Sequence, residues 1–149
     1  MTLVNLEHMS IKNHLNQLLP EIIAKFPSIQ VMYLFGSYAS GTPKVDSDAD
    51  IAVFTDGSET PTMDLEVGVF LQQRLKRPVD VVIIQKASPI FQHEIMRKKV
   101  RIFEKSTARR AFLENQSLRA YLDARHYQRK RTFWRKFNGR NRRHSTLVE

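Results

Sequence analysis

The chain has 149 residues, a formal net charge of +9 at pH 7 and no cysteine. This length suits one domain with an extension, and the lack of cysteine excludes disulfides and thiolate metal sites. No apolar stretch reaches the length of a membrane span, and residues 1–10 lack the pattern of a signal peptide, so we predict a cytoplasmic protein with no membrane partner.

The N-terminal part of the chain predicts a helix, a buried strand and a short second helix. Ser10 can cap the first helix, which Pro20 is expected to kink or split. The apolar run at residues 29–35 predicts the first strand. Residues 37–40 are expected to begin a short helix, whose free amide groups could bind phosphate. The apolar face of the first helix is predicted to consist of Ile11, Leu15, Leu18 or Leu19, Ile22 and Phe26.

The middle of the chain predicts an alternation of strands and helices. The predicted elements are a strand at 48–54, a helix at 63–75, a strand at 79–84, a helix at 88–98 and a strand at 100–103. The apolar positions are Leu65, Val69 and Leu75 in the first of these helices and, facing inward, Ile90, Phe91 and Ile95 in the second. This order predicts a small α/β fold in which helices flank one sheet.

A Gly-Ser pair, Gly36-Ser37, follows the first predicted strand, and after ten residues Asp48-x-Asp50 opens the second. Because alternate residues of a strand point to the same face, the two carboxylates can point one way. Asp80 lies within the third strand, where a carboxylate is costly to bury unless it is paired or binds metal. Backbone amides can hold phosphates, and carboxylates can hold Mg²⁺, so these residues predict a site for nucleotidyl transfer.

Each half of this pattern has an ordinary structural interpretation when it is taken alone. Gly-Ser pairs are common in turns, and Asp-x-Asp pairs are common as solvated acids. The combination with flanking strands and a third acid favours a functional site. Asp46 is off the pattern and is interpreted as a turn residue, whereas Lys44 and Lys86 are candidate phosphate ligands only by proximity in sequence.

The spacing of Gly36-Ser37, ten residues and Asp48-x-Asp50 resembles the signature of the DNA polymerase β-type nucleotidyltransferases, and more narrowly of the MntA-type minimal nucleotidyltransferases. Asp80 falls where that family places its third acid, and the resemblance covers residues 10–104. It implies a mixed sheet and Mg²⁺-dependent transfer of AMP from ATP. By this resemblance, Asp48, Asp50 and Asp80 are the catalytic and metal-binding residues, and Gly36 and Ser37 bind the phosphates of ATP.

For the MntA-type group, the resemblance implies that the acceptor is a protein. It implies a tyrosine of a cognate HEPN-type ribonuclease toxin, whose modification makes this chain an antitoxin within a hetero-oligomer. Two alternatives remain open: nucleotidyl transfer to a small molecule or an RNA end, and a non-catalytic module that binds RNA or a partner. Small-molecule enzymes of this kind usually carry a larger second domain, whereas 45 residues follow residue 104 here.

We divide the chain into a minimal nucleotidyltransferase domain at residues 1–104 and a basic helical extension at residues 105–149. Residues 1–96 have a net charge of −4, with seven bases and eleven acids, whereas residues 97–149 have a net charge of +13, with seventeen bases and four acids. Residues 107–137 predict a helix. Its candidate apolar stripe consists of Ala108, Ala111, Phe112, Leu118, Tyr121 and Leu122.

The segment from Arg125 to Arg143 combines nine bases and no acid with four aromatic residues. Such a segment can dock on an acidic partner subunit, or it can bind nucleic acid with the bases stacked on its rings. A solvated helix or a partly disordered tail, with no ligand, is the third interpretation.

Overall fold

The computed structural model of the chain describes residues 3–43 and 47–144, with side chains for residues 11–43 and 47–137. The helices and strands of this part follow the predicted order. They are α1 (Leu3–Lys25), β1 (Ile29–Phe35), α2 (Gly36–Ala39), β2 (Ala49–Thr55), α3 (Met63–Leu75), β3 (Val79–Ile83), α4 (Pro89–Arg97), β4 (Val100–Glu104) and α5 (Thr107–His144). A 3₁₀ turn at Ile84–Lys86 follows β3.

The four strands form one mixed sheet in the order β3-β2-β1-β4. β1 pairs antiparallel with both β2 and β4, whereas β2 pairs parallel with β3. The parallel pair requires a crossover, which α3 provides. The mixed α/β architecture expected from the sequence is therefore confirmed, and β3 and β4 are its edge strands.

Helices cover both faces of the sheet. Ala49, Ile51 and Val53 of β2 pack with the buried side chains of α1 and α3 on one face. Ala52 and Phe54 belong to the core on the other face, which α4 and α5 cover. A strand that is buried on both faces has a continuous apolar sequence, as β2 has from residue 51 to 54. Asp50 has the same strand parity as Ala52, so its side chain points toward the α4 and α5 face.

The first helix is longer than predicted, and it is not divided. It begins at Leu3 rather than at Ser10 and continues through Pro20 to Lys25. Leu15 and Ile22, on either side of the proline, are both fully buried against the sheet. Tertiary packing on both sides therefore outweighs the one backbone hydrogen bond that proline cannot make.

Several helices bury a different face from the one that the sequence indicated. In α3, Leu65 is 67% exposed and Val69 is 58% exposed. In α4, Ile95 is buried as expected, but Ile90 and Phe91 are 43% and 42% exposed. These helices carry apolar residues on more than one side, and periodicity alone does not say which side meets the sheet. The residues that α3 buries are Met63, Val67, Gly68, Phe70 and Leu71.

The predicted stripe of α5 is also wrong. Phe112, Leu118 and Leu122 are exposed, whereas Leu113 and Ser117 are buried against the body of the protein. The face that packs is selected by polar contacts with the sheet as well as by apolar residues, and those contacts are not visible as periodicity.

A polar network fastens the beginning of α5 to the sheet. The Tyr33 hydroxyl donates to Glu114 Oε1 at 2.6 Å, and Lys99 Nζ lies 3.1 Å from the same oxygen. Arg110 Nε donates to Glu104 Oε2 at 2.5 Å. Burial, and next the hydrogen bond to Glu114, raise the pKa of Tyr33 far above its ordinary value.

The second half of α5 extends away from this anchored part. Every side chain described from Arg125 to Phe137 is exposed. Phe133, Trp134 and Phe137 contact one another there, with ring centroids 5.9–6.3 Å apart. Within the described residues, no helix has both the length and the hydropathy of a membrane span.

Candidate functional site

Strand register brings the Gly-Ser turn and two of the acids into one row. Phe35, the last residue of β1, is opposite Asp50 in β2, and Asp50 is opposite Asp80 in β3. The end of β1 meets the start of β2 because these strands are antiparallel, and the starts of β2 and β3 meet because they are parallel. Gly36 and Ser37 follow Phe35 directly, so they lie beside Asp50 at the same end of the sheet.

Gly36 is held against the Asp50 carboxylate. Its φ is +71°, and a Cβ placed on it would lie 2.1 Å from Asp50 Oδ2. A side chain at this position would meet both an unfavourable backbone conformation and a steric clash. The resemblance implies that Gly36 binds the phosphates of ATP. The structure adds a reason for glycine at this position, which is the close contact with a candidate metal ligand.

Ser37 lies within α2 and is half-buried. Two backbone hydrogen bonds stabilise this short helix and the turn after it. Ser40 N donates to the Gly36 carbonyl oxygen at 3.1 Å, and Thr42 N donates to the Ser37 carbonyl oxygen at 3.0 Å. The turn is therefore a defined structure beside the acids.

A contact that the sequence analysis missed holds this turn in place. Tyr38 is fully buried, and Arg77 Nη1 donates to its hydroxyl. The Arg77 guanidinium carbon also lies 5.2 Å from the centroid of the Tyr38 ring, which is a cation–π contact. Arg77 stands just before β3, and Tyr38 follows the Gly-Ser pair. The two residues are 39 positions apart in the sequence, so no local signal shows that their side chains meet.

The three acids differ in burial and repel one another. Asp48 and Asp80 are exposed, whereas Asp50 is half-buried. Burial raises the pKa of Asp50, and the nearby negative charges of Asp80 and then Asp48 raise it further. Each of these causes disfavours the ionised carboxylate, and a bound cation would favour it.

The described residues fit a Mg²⁺ site that the nucleotide would complete. Among the described residues, no group of three or more His, Asp or Glu side chains could hold a metal ion by itself. Mg²⁺ is usually bound through one or two carboxylates, substrate phosphates and several waters. Asp50 and Asp80 on adjacent strands form no ion pair with any residue that the structure describes, and they provide such a donor set beside the Gly-Ser turn.

The lysines considered as phosphate ligands are not shown to join the site. Asp80 lies near the start of β3, whereas Lys86 follows the end of this strand. Lys86 Nζ lies 3.5 Å from Glu59 Oε1. Lys44 and Asp46 lie outside the described residues.

A cleft of about 640 Å³ opens beside the acids. Asp50 and Asp80 line one part of it. Asp64, Gly68 and Gln72 of α3 also line it. The other lining residues are apolar, and they are Phe35, Leu65, Val69, Val79, Val81, Val82 and Phe91. The arrangement can therefore place an apolar group next to the candidate metal and phosphate site.

Comparison with known proteins agrees with this geometry. The family profile described as "Polymerase beta, Nucleotidyltransferase" matches residues 17–108. The protein adenylyltransferase MntA of Shewanella oneidensis is 31% identical over 81 residues, which is 54% of this chain and 58% of that relative. The chain thus matches somewhat more than half the length of this curated relative.

Solved structures share the fold over most of the chain. A crystal structure of a toxin–antitoxin with AMP-PNP matches 81% of this chain and 95% of its own, at a TM-score of 0.67 and 23% identity. A second structure contains a tri-AMPylated Shewanella oneidensis HEPN toxin in complex with MNT antitoxin. The match covers 85% of this chain and 96% of the matched chain, at a TM-score of 0.65 and 21% identity. The family profile covers most of residues 1–104, and the Gly-Ser turn, Asp50 and Asp80 lie in one row. The chain therefore belongs to the polymerase β nucleotidyltransferase family.

Proposed function

We propose that this protein is a Mg²⁺-dependent nucleotidyltransferase that moves AMP from ATP to a protein acceptor. The observation that carries this proposal is the register that aligns Phe35, Asp50 and Asp80, because it puts a phosphate-binding turn and two carboxylates in one row. We assign this activity to residues 1–104 and treat residues 105–149 as a basic extension, the first turns of which pack on the catalytic part through Leu113.

The proposed reaction is an in-line displacement at the α-phosphorus of ATP. A hydroxyl oxygen of the acceptor bonds to this phosphorus, the bond to the bridging oxygen breaks, and pyrophosphate leaves with that electron pair. Asp48, Asp50 and Asp80 would hold Mg²⁺, which when bound neutralises the triphosphate. Asp80 accepts the proton of the attacking hydroxyl. Gly36 and Ser37 hold the departing phosphates with backbone amides and the serine hydroxyl.

We further propose that the acceptor is a tyrosine of a cognate HEPN-type toxin and that the transfer silences the toxin. The support is the similarity to MntA of Shewanella oneidensis and to a complex in which a HEPN toxin is AMPylated. The protein would then act as an antitoxin and form a hetero-oligomer with its toxin. A cytoplasmic location, where ATP and Mg²⁺ are available, fits this role.

The segment of α5 from Arg125 to Phe137 is proposed to contact the partner. Its bases and the cluster of Phe133, Trp134 and Phe137 would meet an acidic surface with an apolar centre. Nucleic acid is the second candidate ligand for this segment, because exposed aromatic rings among bases also suit base stacking. Two observations would favour the second candidate. The protein would bind single-stranded RNA with an affinity that falls steeply as salt rises, and its affinity for the toxin would show no such fall.

The proposal is tested by intact-mass measurement of the cognate toxin after incubation with this protein, ATP and Mg²⁺. We expect the toxin to gain one or more AMP units with ATP, and peptide mapping to place them on tyrosine. Chelation of Mg²⁺ should abolish the gain. Parallel reactions with the other three nucleotides measure the base preference.

Two variants make this test specific. Asp48→Asn should abolish the transfer without altering the fold, because an amide is a poor ligand for Mg²⁺. Asp123→Asn, which removes an exposed acid from α5, should leave it unchanged. A wild-type protein that modifies no toxin with any nucleotide, or an Asp48→Asn variant with normal transfer, would show that the proposed activity is wrong.

A further inference from the structure

The outer edge of β3 is open. β3 is at one end of the sheet, and within the described residues its only strand partner is β2. An edge strand presents backbone N–H and C=O groups to which another extended chain can pair. Val81 and Val82, in the middle of this five-residue strand, are only half-buried although they are apolar.

A groove follows this open edge. The cleft beside the acids adjoins a second cavity of about 310 Å³. Val81, Val82, Asp64 and Phe91 line both cavities, so the two cavities are adjacent and lie between α3 and α4. Together they follow β3, whose five residues extend over about 17 Å.

The rim of the groove is apolar and exposed. Leu65 and Val69 project from α3, and Phe91 projects from α4. These are the residues that the sequence assigned to helix interfaces and that the fold leaves uncovered. Clustered exposure of large apolar side chains beside a polar centre is typical of a surface that binds another molecule.

The order of the strands places this groove on the acceptor side of the reaction. From one side to the other, the row contains Gly36-Ser37 after β1, Asp50 in β2 and Asp80 in β3. The phosphates of the donor belong at the glycine end of the row. The attacking group must therefore approach from the opposite end, where Asp80 lines the groove.

The charge of the groove disfavours a nucleic acid acceptor. Among the residues that the structure describes, the charged ones that line the groove are Asp50, Asp64, Asp80 and Lys86, and Lys86 is paired with Glu59. A phosphate backbone would be repelled by these carboxylates. An extended polypeptide, with main-chain groups for the strand edge and apolar side chains for the rim, matches both the polar and the apolar parts of the groove.

We propose that the acceptor protein binds as an extended segment added to the free edge of β3. Its apolar side chains contact Leu65, Val69 and Phe91, and the hydroxyl side chain to be modified lies at Asp80. This inference rests on the proposed function and identifies how its protein acceptor is recognised. The covalent step is the one given above: the hydroxyl oxygen bonds to the α-phosphorus, its proton passes to Asp80, and pyrophosphate leaves.

The first test is steady-state kinetics of the Leu65→Ala/Val69→Ala double variant with the toxin as acceptor. Both side chains are more than half exposed, so the variant should fold. We expect kcat/KM for the toxin to fall at least about tenfold while KM for ATP stays within about twofold. The matched control is Phe112→Ala/Leu122→Ala, which removes two side chains of similar exposure from α5 and should change neither constant.

The second test is hydrogen exchange of the two edge strands in the Asp48→Asn variant, with and without the toxin. Binding should slow exchange of the amides at Val79–Ile83, whereas Val100–Glu104 of β4, the opposite edge, should exchange unchanged. Protection of β4 alone, or of neither strand, would overturn the inference.

The outcomes separate this inference from the proposed function. Wild-type transfer together with a normal KM for the toxin in the double variant would overturn the groove and leave the proposed function standing. A wild-type protein that transfers no AMP to protein would overturn the proposed function, and the inference would fall with it.

Discussion

Replacement of Gly36 by alanine tests the contact between the Gly-Ser turn and Asp50. The new Cβ would lie 2.1 Å from Asp50 Oδ2, 3.0 Å from its Cγ and 3.3 Å from its Cβ. Because the Asp50 Cβ is also close, rotation of the carboxylate alone does not remove the whole contact. Either Asp50 or the turn must move, and an ordinary carbon–oxygen contact requires a shift of about 1 Å.

The expected cost has two parts. A residue with a side chain at φ +71° loses about 1–2 kcal/mol relative to glycine. Forcing Asp50 from its rotamer adds about 0.5–1.5 kcal/mol. The displaced carboxylate should also lower the rate of transfer by about 100-fold, since a shift of about 1 Å in a reacting centre has an effect of that size.

Gly41→Ala is the matched control. Gly41 has φ +70°, but a Cβ placed on it would meet no atom of the described residues within 4 Å. It therefore reports the backbone cost alone and should leave transfer near the wild-type rate. Urea denaturation should show Gly36→Ala to be less stable than Gly41→Ala by about 1 kcal/mol, which corresponds to about 2–4 °C in Tm for a chain of this size.

A double-mutant cycle decides whether Asp50 is the cause. In an Asp50→Ala background the carboxylate is absent and only the Cβ contact at 3.3 Å stays, so Gly36→Ala should cost less than in the wild type and approach the cost of Gly41→Ala. Equal destabilisation by Gly36→Ala with and without the Asp50 carboxylate would show that Asp50 is not the cause. Transfer of AMP by Gly36→Ala at the wild-type rate would show that the contact does not position Asp50.

The remaining predictions concern Asp50, Tyr33 and Arg77. Because the pKa of Asp50 is raised in the folded state, the ionised carboxylate destabilises the metal-free fold above that pKa. Asp50→Asn should therefore increase the free energy of unfolding near pH 7 but not near pH 3. Urea titrations at both pH values measure this difference. Protonation of Asp50 should also cause transfer to fall toward acid pH, and higher Mg²⁺ should move this decline to lower pH in pH–rate profiles. Tyr33→Phe removes the 2.6 Å hydrogen bond to Glu114, which keeps its contact with Lys99, so stability measured by urea should fall by about 1–2 kcal/mol. Arg77→Ala should reduce both transfer and Tm, because the buried Tyr38 hydroxyl loses its donor, and unchanged values of both would contradict a role in holding the turn.

The sequence was sufficient for features that depend on neighbours along the chain. Apolar runs bounded by turn residues predicted β1 with its observed ends, and Ser88 and Pro89 predicted the start of α4, where the Ser88 hydroxyl accepts from Phe91 N at 3.3 Å. The Gly-Ser and Asp-x-Asp pairs are short-range patterns as well. Their assignment as catalytic residues remains a prediction, because only a loss of transfer in the variants above tests it.

Features that depend on contacts between distant parts of the chain were missed. Which side of α3 and α5 faces the sheet was one such feature, since both helices have apolar residues on several sides. The contact of Arg77 with Tyr38 and the bond of Tyr33 to Glu114 join residues 39 and 81 positions apart, and no local pattern encodes them.

The sequence by itself determined the order of elements and the types of side chain available for chemistry, because local propensity and spacing are properties of a segment. Only the tertiary structure decided that Gly36 must be glycine to accommodate Asp50, that Asp50 and Asp80 are paired neighbours, and that an open strand edge continues from them. Strand order and register bring those residues together, and both are set by packing of the whole sheet between its helices.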